Sequence, residues 1–481
     1  MSATFSWQTC CRVTQGRPFC ADTPATDAVG AINTDTRTIA PGQIFLAIAG
    51  AQFDGNGYVA QAFDQGAFAA IVSEAGAAQY GAQWPSDKPI LVVPDTVEAY
   101  LQLAGHHRLQ CPATVVALTG SSGKTTTKDM LFAAFSGLKR TQKTQKNFNN
   151  EIGVAQTLMA LAPDTEILIV EMGMRGLGEI ALLSRYARPD VALVVNVGPA
   201  HIGRLGSLEN IATAKLEIVT GLDTRQGCLV YNGDDPLLQR RAPLNWQGRS
   251  VAYTLADTQP YAPSADGGMT YHWLGETGTL QVPGEHMVAN AIGVLSVGQV
   301  LGLPVAAMMA GLAQYQPEGA RWQTTPLRGV PDCLLINDAY NANPDSFKAS
   351  LSALLKSPVH LDRQHILVLA GMKELGEHSE AYHRQLGRWL ANQTLIHTLL
   401  LVGDEACGIE AGLKEAGISP PFSAVWFEDV KQAVHWLAAD PQQLTHALLF
   451  LKGSRAYGLE EIPQYFEWLA QQGGAPCAPQ A

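Results

Sequence analysis

The sequence predicts an α/β protein of three domains, spanning residues 1–111, 112–322 and 323–481. Three observations carry that expectation. The chain has 481 residues, enough for about three cores at roughly 150 residues each. Apolar runs of strand length alternate with helix-like stretches, the pattern of a parallel sheet covered on both faces. One such run ends in a glycine-rich turn that opens a helix.

In the first domain, Ile44 to Ile48, Ala67 to Val72 and Pro89 to Val93 read as short strands. Asp54-Gly55 and Asn56-Gly57 mark turns between them, and Val97 to Leu109 reads as a helix. The second domain opens with the apolar run Ala113 to Leu118, followed by helical periodicity around Met130, Leu131, Ala134 and Leu138. Glu166 to Glu171, Asp190 to Val197 and Cys228 to Asn232 are further strand-length runs. The third domain follows Gln316-Pro317-Glu318-Gly319 and carries runs at Cys333 to Asn337, Ile366 to Ala370, Leu395 to Val402 and Ala447 to Leu451, a second and smaller α/β sheet. The Pro/Ala-rich tail after Gly473 is expected to fray.

Composition narrows the function. Hydrophobic residues make up 47% and charged residues 16%, a globular balance. A net charge of −11 argues against a nucleic-acid partner. No apolar run approaches the roughly 18 residues of a membrane helix, and no secretory signal opens the chain. The eight cysteines are scattered without a Cys-x-x-Cys, so a reducing cytoplasm is expected and a disulfide or metal framework is not.

The segment Thr119-Gly120-Ser121-Ser122-Gly123-Lys124-Thr125-Thr126-Thr127 lies between a predicted strand and a predicted helix, the context of a phosphate loop. Backbone N–H groups and the helix N-terminus offer fixed positive potential to phosphate oxygens. Lys124 is placed to reach the terminal phosphates and Thr125 to ligate Mg²⁺. The bland alternative is an ordinary strand-to-helix turn. The loop is compact: Leu118 stands where the usual phosphate loop has its first glycine. Glu171 ends the run Ile167 to Val170, where a carboxylate can hold Mg²⁺. By spacing alone it serves equally well as a helix cap or a surface acid. His201, after Asn196-Val197-Gly198-Pro199-Ala200, and Lys215, in Ile211-Ala212-Thr213-Ala214-Lys215-Leu216, are on composition a structural histidine and a solvated helix lysine.

The compact loop resembles that of the Mur ligase and folylpolyglutamate synthetase superfamily, and the resemblance extends from about Thr34 to Arg455. It implies a small N-terminal α/β domain that binds UDP, a central P-loop-type ATPase domain and a C-terminal Rossmann-like domain. It implies ATP bound by Gly120, Ser121, Ser122, Gly123, Lys124, Thr125 and Thr126, with two Mg²⁺ held by Thr125, Glu171, His201 and a carbamylated Lys215. In Gly284-Glu285-His286-Met287-Val288-Ala289-Asn290, Asn290 matches the residue near the nucleotide base, while Met287 replaces an asparagine. Arg321 matches a phosphate-contacting arginine. Asp338-Ala339-Tyr340-Asn341-Ala342-Asn343-Pro344-Asp345-Ser346 is similar to the signature of the family's D-alanyl-D-alanine-adding members. Asp338 is then a ribose ligand, Asn341 and Asn343 line the substrate, and Ser346 suits a helix N-cap. Met372-Lys373-Glu374-Leu375-Gly376 and Lys452-Gly453-Ser454-Arg455 belong to the same signature, with Ala370-Gly371 departing from it. Ser454 is expected near the dipeptide or the nucleotide. Asp35-Thr36-Arg37 resembles the UDP-sugar-recognising element, giving Thr36 and Arg37 as substrate contacts. Asn149 and Asn150 lie in an Asn-rich loop near the acceptor, with Ala155 for the usual proline.

The implied reaction is attack of a UDP-linked muramoyl-tripeptide carboxylate on the γ-phosphate of ATP. The resulting acyl phosphate is then captured by the amine of D-alanyl-D-alanine. Lys124, Lys215, His201 and Arg321 are its catalytic candidates, and the expected working unit is a monomer. The competing expectations are a sister ligase adding a single amino acid and a non-ligase NTPase.

Overall fold

In the strand Thr114–Thr119, Val115 and Ala117 enter one core and Val116 and Leu118 the other, all four fully buried. Ile167–Glu171 and Val191–Val194 divide in the same way. A strand buried on both faces must be apolar on both, so these segments read as continuous runs. The computed structural model describes residues 3–20, 28–50 and 53–472. The expected fraying tail lies outside the described residues.

The central sheet is wholly parallel, in the order Arg249–Tyr253, Cys228–Asn232, Val191–Val194, Thr114–Thr119, Ile167–Glu171, Thr141–Lys143. After Thr114–Thr119 the chain places Thr141–Lys143 at one edge, returns to fill the gap with Ile167–Glu171, then crosses to the other side at Val191–Val194. That reversal leaves a crevice beyond the carboxyl ends of the central strands, where open α/β sheets take ligands. The helix Glu285–Val300, buried along nearly its whole length, packs beside the helix Lys124–Phe135 that follows the phosphate loop.

The C-terminal sheet runs Gln323–Pro326, Leu334–Asn337, Ala447–Lys452, Gln364–Ala370, Ile396–Val402, Ser423–Phe427. Its first pair is antiparallel and the rest parallel. Asp338, Gly371 and Gly453 therefore leave three adjacent strands at the same end. The N-terminal sheet is parallel in its middle, from Val29–Asn33 through Ile44–Leu46 and Ala69–Ser73 to Ile90–Val93, with antiparallel edges at Thr4–Ser6 and Arg17–Pro18. The helix Thr96–Gln110 packs on the central helices Glu151–Met159 and Glu179–Ala187 through a shared apolar core that holds Leu101, Leu103, Val154, Leu158 and Leu183.

Three features depart from the sequence reading. The C-terminal sheet, expected to be the smaller, has six strands like the central one. An antiparallel sheet, Ala262–Pro263, Met269–Trp273 and Glu276–Leu280, projects from the central unit. And Asn343, not Ser346, is the N-cap of the helix Pro344–Leu355. The Asn343 side chain accepts from Ser346 N at 2.9 Å, and Ser346 Oγ accepts from Asn343 N at 3.0 Å. Pro344 has no N–H to lose and a preset φ, so the helix starts there and the cap falls one residue earlier.

Candidate active site

Gly123 caps the helix Lys124–Phe135 with φ +73°, a left-handed conformation that suits glycine. A Cβ there would lie 3.2 Å from Asn290 Nδ2, so the loop also needs a glycine to sit against Glu285–Val300. Ser121 Oγ donates to Gly198 O at 2.9 Å and accepts from Gly198 N at 2.8 Å. Ser122 N donates to Asn196 Oδ1 at 3.0 Å. The loop is thus fixed to the segment after the neighbouring strand before any phosphate arrives. Lys124 folds over it, its Nζ donating to Gly120 O at 2.7 Å. Desolvation lowers the Lys124 pKa, against the pull of Glu171.

Glu171 is 1% exposed, which excludes the surface-acid reading. Its Oε1 accepts from Asn149 Nδ2 at 2.7 Å and from Thr125 Oγ1 at 3.2 Å. Its Oε2 is buried with no hydrogen-bond partner, although Lys128 Nζ stands 3.7 Å away. A buried carboxylate oxygen left unbonded is costly. Beside the Thr125 hydroxyl and the phosphate loop, it offers a donor set that suits a hard divalent cation. Among the described residues no three His, Cys, Asp or Glu side chains gather as a metal cage. Lys128 was not singled out from sequence; its 2% exposure in the first turns of an otherwise polar helix start is visible only in the fold.

Lys215 is 1% exposed, so the solvated-lysine reading also fails. Burial, then the positive charge of Lys124, hold its pKa well below the ordinary lysine value. Among the described residues no carboxylate pairs with it. His201 sits at φ +65°, and its Nδ1 lies 2.7 Å from Glu374 Oε2 on the C-terminal domain.

The C-terminal wall is built on Asp338. Its Oδ1 accepts from Trp322 N at 3.1 Å, and its Oδ2 from Ser350 Oγ and Lys452 Nζ, both at 2.6 Å. Lys452 is 2% exposed, so this is a buried ion pair. Arg321 crosses between domains: its guanidinium stacks 3.7 Å from the Tyr340 ring centroid, and Nη2 reaches Thr125 Oγ1 at 3.3 Å. Desolvation, with Lys452 nearby, lowers the His286 imidazole to about 4. Ser454 stands at the N-cap of the short 3-10 turn Arg455–Tyr457, but its side chain makes no capping bond there. Its Oγ accepts from Lys373 N at 2.9 Å, tying the last strand-end turn to the Met372–Glu374 segment.

These elements enclose one cleft of about 1090 Å³ between the central and C-terminal domains. Ser121 to Thr126, Asn149, Asn150, Glu171, His201, Asn290, Arg321, Asp338, Asn341, Asn343 and Ser454 all border it. Gly120 and Lys215 lie behind that lining, and Thr36 and Arg37 are outside it. Arg37 instead forks onto Asp35, 2.7 Å away, with its side chain 86% exposed. Asn150 caps the helix Glu151–Met159 by accepting from Gly153 N at 3.0 Å. Asp345 is exposed, yet its Oδ2 lies where a Cβ on Gly198 would, and its carboxyl pKa is raised by desolvation first and by Asp235 second. Sequence reading met Asp345 and Glu374 only as positions within a signature and gave neither a role, since nothing local marks an acid that packs across a domain boundary.

Comparison with known proteins agrees with this arrangement. The family described as Mur ligase family, catalytic domain, matches residues 28–108. The Mur ligase middle domain matches 118–298, and the Mur ligase, glutamate ligase domain, matches 321–455. The UDP-N-acetylmuramoyl-tripeptide--D-alanyl-D-alanine ligase of Bacillus subtilis is 34% identical over 437 residues, 90% of this chain and 92% of the relative. That of Escherichia coli is 34% identical over 446 residues, with the same coverage. A crystal structure of MurF from Acinetobacter baumannii superposes with a TM-score of 0.84 at 30% identity, covering 97% of this chain and 99% of that one. MurF from Thermotoga maritima, in complex with ADP, gives 0.79 at 26% identity over 92% and 99%. With three consecutive family domains matched and full-length relatives above 30% identity, the chain belongs to the Mur ligase family, in its MurF branch.

Proposed function

We propose that this chain joins D-alanyl-D-alanine to UDP-N-acetylmuramoyl-tripeptide at the expense of ATP, giving the UDP-linked pentapeptide used in peptidoglycan synthesis. The observation that carries the reading is the shared cleft. The phosphate loop and Glu171 form one wall and the Asp338–Ser346 signature the other, with Arg321 spanning both.

A carboxylate is a poor electrophile in water, so it must be activated before an amine can displace anything from it. The tripeptide carboxylate attacks the γ-phosphorus of ATP, ADP leaves, and an acyl phosphate forms. The dipeptide amine then attacks the acyl carbon and inorganic phosphate departs. Phosphoryl transfer needs alignment and charge neutralisation more than covalent help. The loop amides from Gly123 to Thr126 and the Lys124 ammonium cradle the phosphates, while Ser121 N and Ser122 N hold the loop to Asn196. Arg321, held flat by Tyr340, meets the terminal phosphate from the domain boundary. Thr125 and Glu171 would hold one Mg²⁺, and His201 with a carbamylated Lys215 would hold a second, which would supply further neutralisation of phosphate charge. Carbamylation is supported by a buried Lys215 amine whose pKa burial depresses, since a neutral amine adds to CO₂ with loss of a proton. Asp338, already fixed by Lys452 and Ser350, presents its remaining lone pairs to a ribose hydroxyl, and Asn290 stands behind the loop toward the base. Asn149, Asn150, Asn341, Asn343 and Ser454 border the space for the tripeptide end and the dipeptide. Thr36 and Arg37, on the N-terminal domain, take the UDP. Docking of the C-terminal domain shields the acyl phosphate from water. The proposed setting is the cytoplasm. The proposed working unit is a monomer, since one chain's residues complete the cleft.

The test is phosphate release from ATP with UDP-MurNAc-tripeptide, with and without D-alanyl-D-alanine, and mass detection of the product. Dipeptide-dependent release with a UDP-linked pentapeptide supports the reading. Release indifferent to the dipeptide, or dependent on a single amino acid, overturns it.

A further inference from the structure

The phosphate-loop mechanism uses His201 but leaves its partner without a task. Glu374 belongs to the C-terminal domain, on the segment that leaves the strand Gln364–Ala370. His201 belongs to the central domain, just past Val191–Val194. Their side chains meet across the boundary, with Nδ1 and Oε2 2.7 Å apart as an ion-pair contact, and the buried Nδ1 makes no hydrogen bond of good angle to any group.

The backbones are arranged for this meeting. His201 has φ +65° and Glu374 φ +67°, both left-handed conformations that non-glycine residues seldom adopt. Such positions persist where surrounding structure enforces them, and they cluster at functional sites. Gly203 N donates to Glu374 O at 3.2 Å. A Cβ on Gly203 would lie 2.6 Å from Gly376 N, and one on Gly376 2.8 Å from Gly203 Cα, so the two loops touch backbone to backbone. His201 and Glu374 both border the cleft.

An acceptor at Nδ1 has a chemical consequence. A lone pair on Nδ1 would face the carboxylate's negative charge at 2.7 Å, so a neutral ring keeps its hydrogen on Nδ1 and leaves the lone pair on Nε2. Metal-binding histidines are commonly oriented in this way, by a carboxylate on the ring nitrogen that does not face the metal. In this chain the carboxylate comes from a different domain.

We propose that Glu374 is a positioning residue. It sets the ring orientation and tautomer of His201, so that docking of the C-terminal domain completes the metal-facing side of the central domain. The inference rests on the reading of His201 as a Mg²⁺ ligand. It couples closure to metal affinity: an undocked domain leaves His201 free to turn, and the cation is held less tightly.

The test uses the full-length enzyme with Mn²⁺ as probe and a non-hydrolysable ATP analogue. Free Mn²⁺ is read by electron paramagnetic resonance, and the Mg²⁺ dependence of ligation is measured in parallel. Glu374→Ala is expected to weaken Mn²⁺ binding and raise the half-saturating Mg²⁺ by about 10-fold or more, the usual cost of losing such a partner. KM for D-alanyl-D-alanine should change less than two-fold. Glu374→Gln keeps an acceptor for the Nδ1 hydrogen but is a poor cation ligand, so it should restore most of the affinity. Lys356→Ala breaks a domain contact to Glu285 away from the cleft and should leave metal affinity unchanged. Unaltered Mn²⁺ binding in Glu374→Ala overturns the proposal. So does a Gln variant as weak as the Ala variant, which would make Glu374 a direct ligand. His201→Ala separates the two layers: if it too leaves Mn²⁺ binding intact, the metal reading of His201 fails. If it alone weakens binding, only the role of Glu374 fails.

Discussion

At the scale of the residue, burial decides which charged groups are poised for chemistry. Lys215 is enclosed with no carboxylate among the described residues to balance it, an arrangement that a structural ammonium would find expensive. Turning the amine into a carbamate makes it an anion that a cation can satisfy. Lys215→Ala is therefore expected to lower kcat by at least about 100-fold, as for loss of a metal ligand's support. Short carboxylic acids added to the assay should recover part of it. Full activity in the variant, or no response to the acids, counts against the carbamate. His286 illustrates the opposite case. Desolvation holds its imidazole at about 4, below the ordinary 6.5, with Lys452 acting in the same direction and Asp338 and Glu285 against it. As the pH falls through 6.5 the unfolded chain takes up this proton first, so stability declines between 6.5 and about 4. The loss is on the order of 1–3 kcal/mol, discounted for a half-buried ring. Denaturant midpoints at pH 7 and pH 5 should differ less for His286→Gln than for the parent; equal differences would discard the assignment.

At the scale of the element, the Asn343 cap couples a helix start to the cleft. Asn343→Ala removes the side-chain bond from Ser346 N while its own backbone N–H still donates to Ser346 Oγ, and should cost about 1 kcal/mol of stability. Asn343→Asp keeps the cap, and the negative charge suits the helix N-terminus. If the Asp variant melts like the parent but ligates poorly, the amide has a role beyond the cap; if it matches the parent in both, capping is its whole contribution. The same scale explains what could be read from sequence. Parallel strands such as Ile366 to Ala370 and Leu399 to Val402 are buried on both faces, so their apolar runs stand out. The sheet from Ala262 to Leu280 did not: Met269–Trp273 alternates buried and half-buried residues and includes Thr270 and His272, and its neighbours are mostly exposed. Edge strands of two or three residues, Arg17–Pro18 and Thr141–Lys143, carry too few side chains for any period to show. The phosphate loop and Asp338 were legible because their chemistry is local to a turn. Lys128, Asp345 and Glu374 were not, because each acts through a residue distant in the chain.

At the scale of the molecule, one apolar core cluster runs through both domain boundaries, and the second boundary adds a polar face around the cleft. The helix Thr96–Gln110 joins the N-terminal sheet to the central unit through apolar side chains buried together. Around the cleft, the C-terminal domain meets the central unit through polar contacts: Arg321 to Thr125, His201 to Glu374, and Asp345 against Gly198. Contacts of that kind give little net free energy until a ligand bridges them. The connecting segment includes Gln316, Glu318 and Gly319, all exposed, and Ala320 and Trp322 in left-handed conformations on either side of Arg321. A ligand that touches both walls stabilises the docked arrangement by mass action, about 2.7 kcal/mol at a hundred times its Kd. A glutamate-specific protease should therefore cut after Glu318 roughly 100-fold more slowly under a saturating ATP analogue. Lys124→Ala, which removes a phosphate contact at the loop, should lose most of that protection while its cutting rate without nucleotide stays the same. Equal protection in parent and variant would mean that nucleotide does not bridge the domains through this loop. Protection that also vanishes in the parent would mean that the C-terminal domain is held in place without any ligand, and the cleft would then be a rigid site rather than one completed by its substrates.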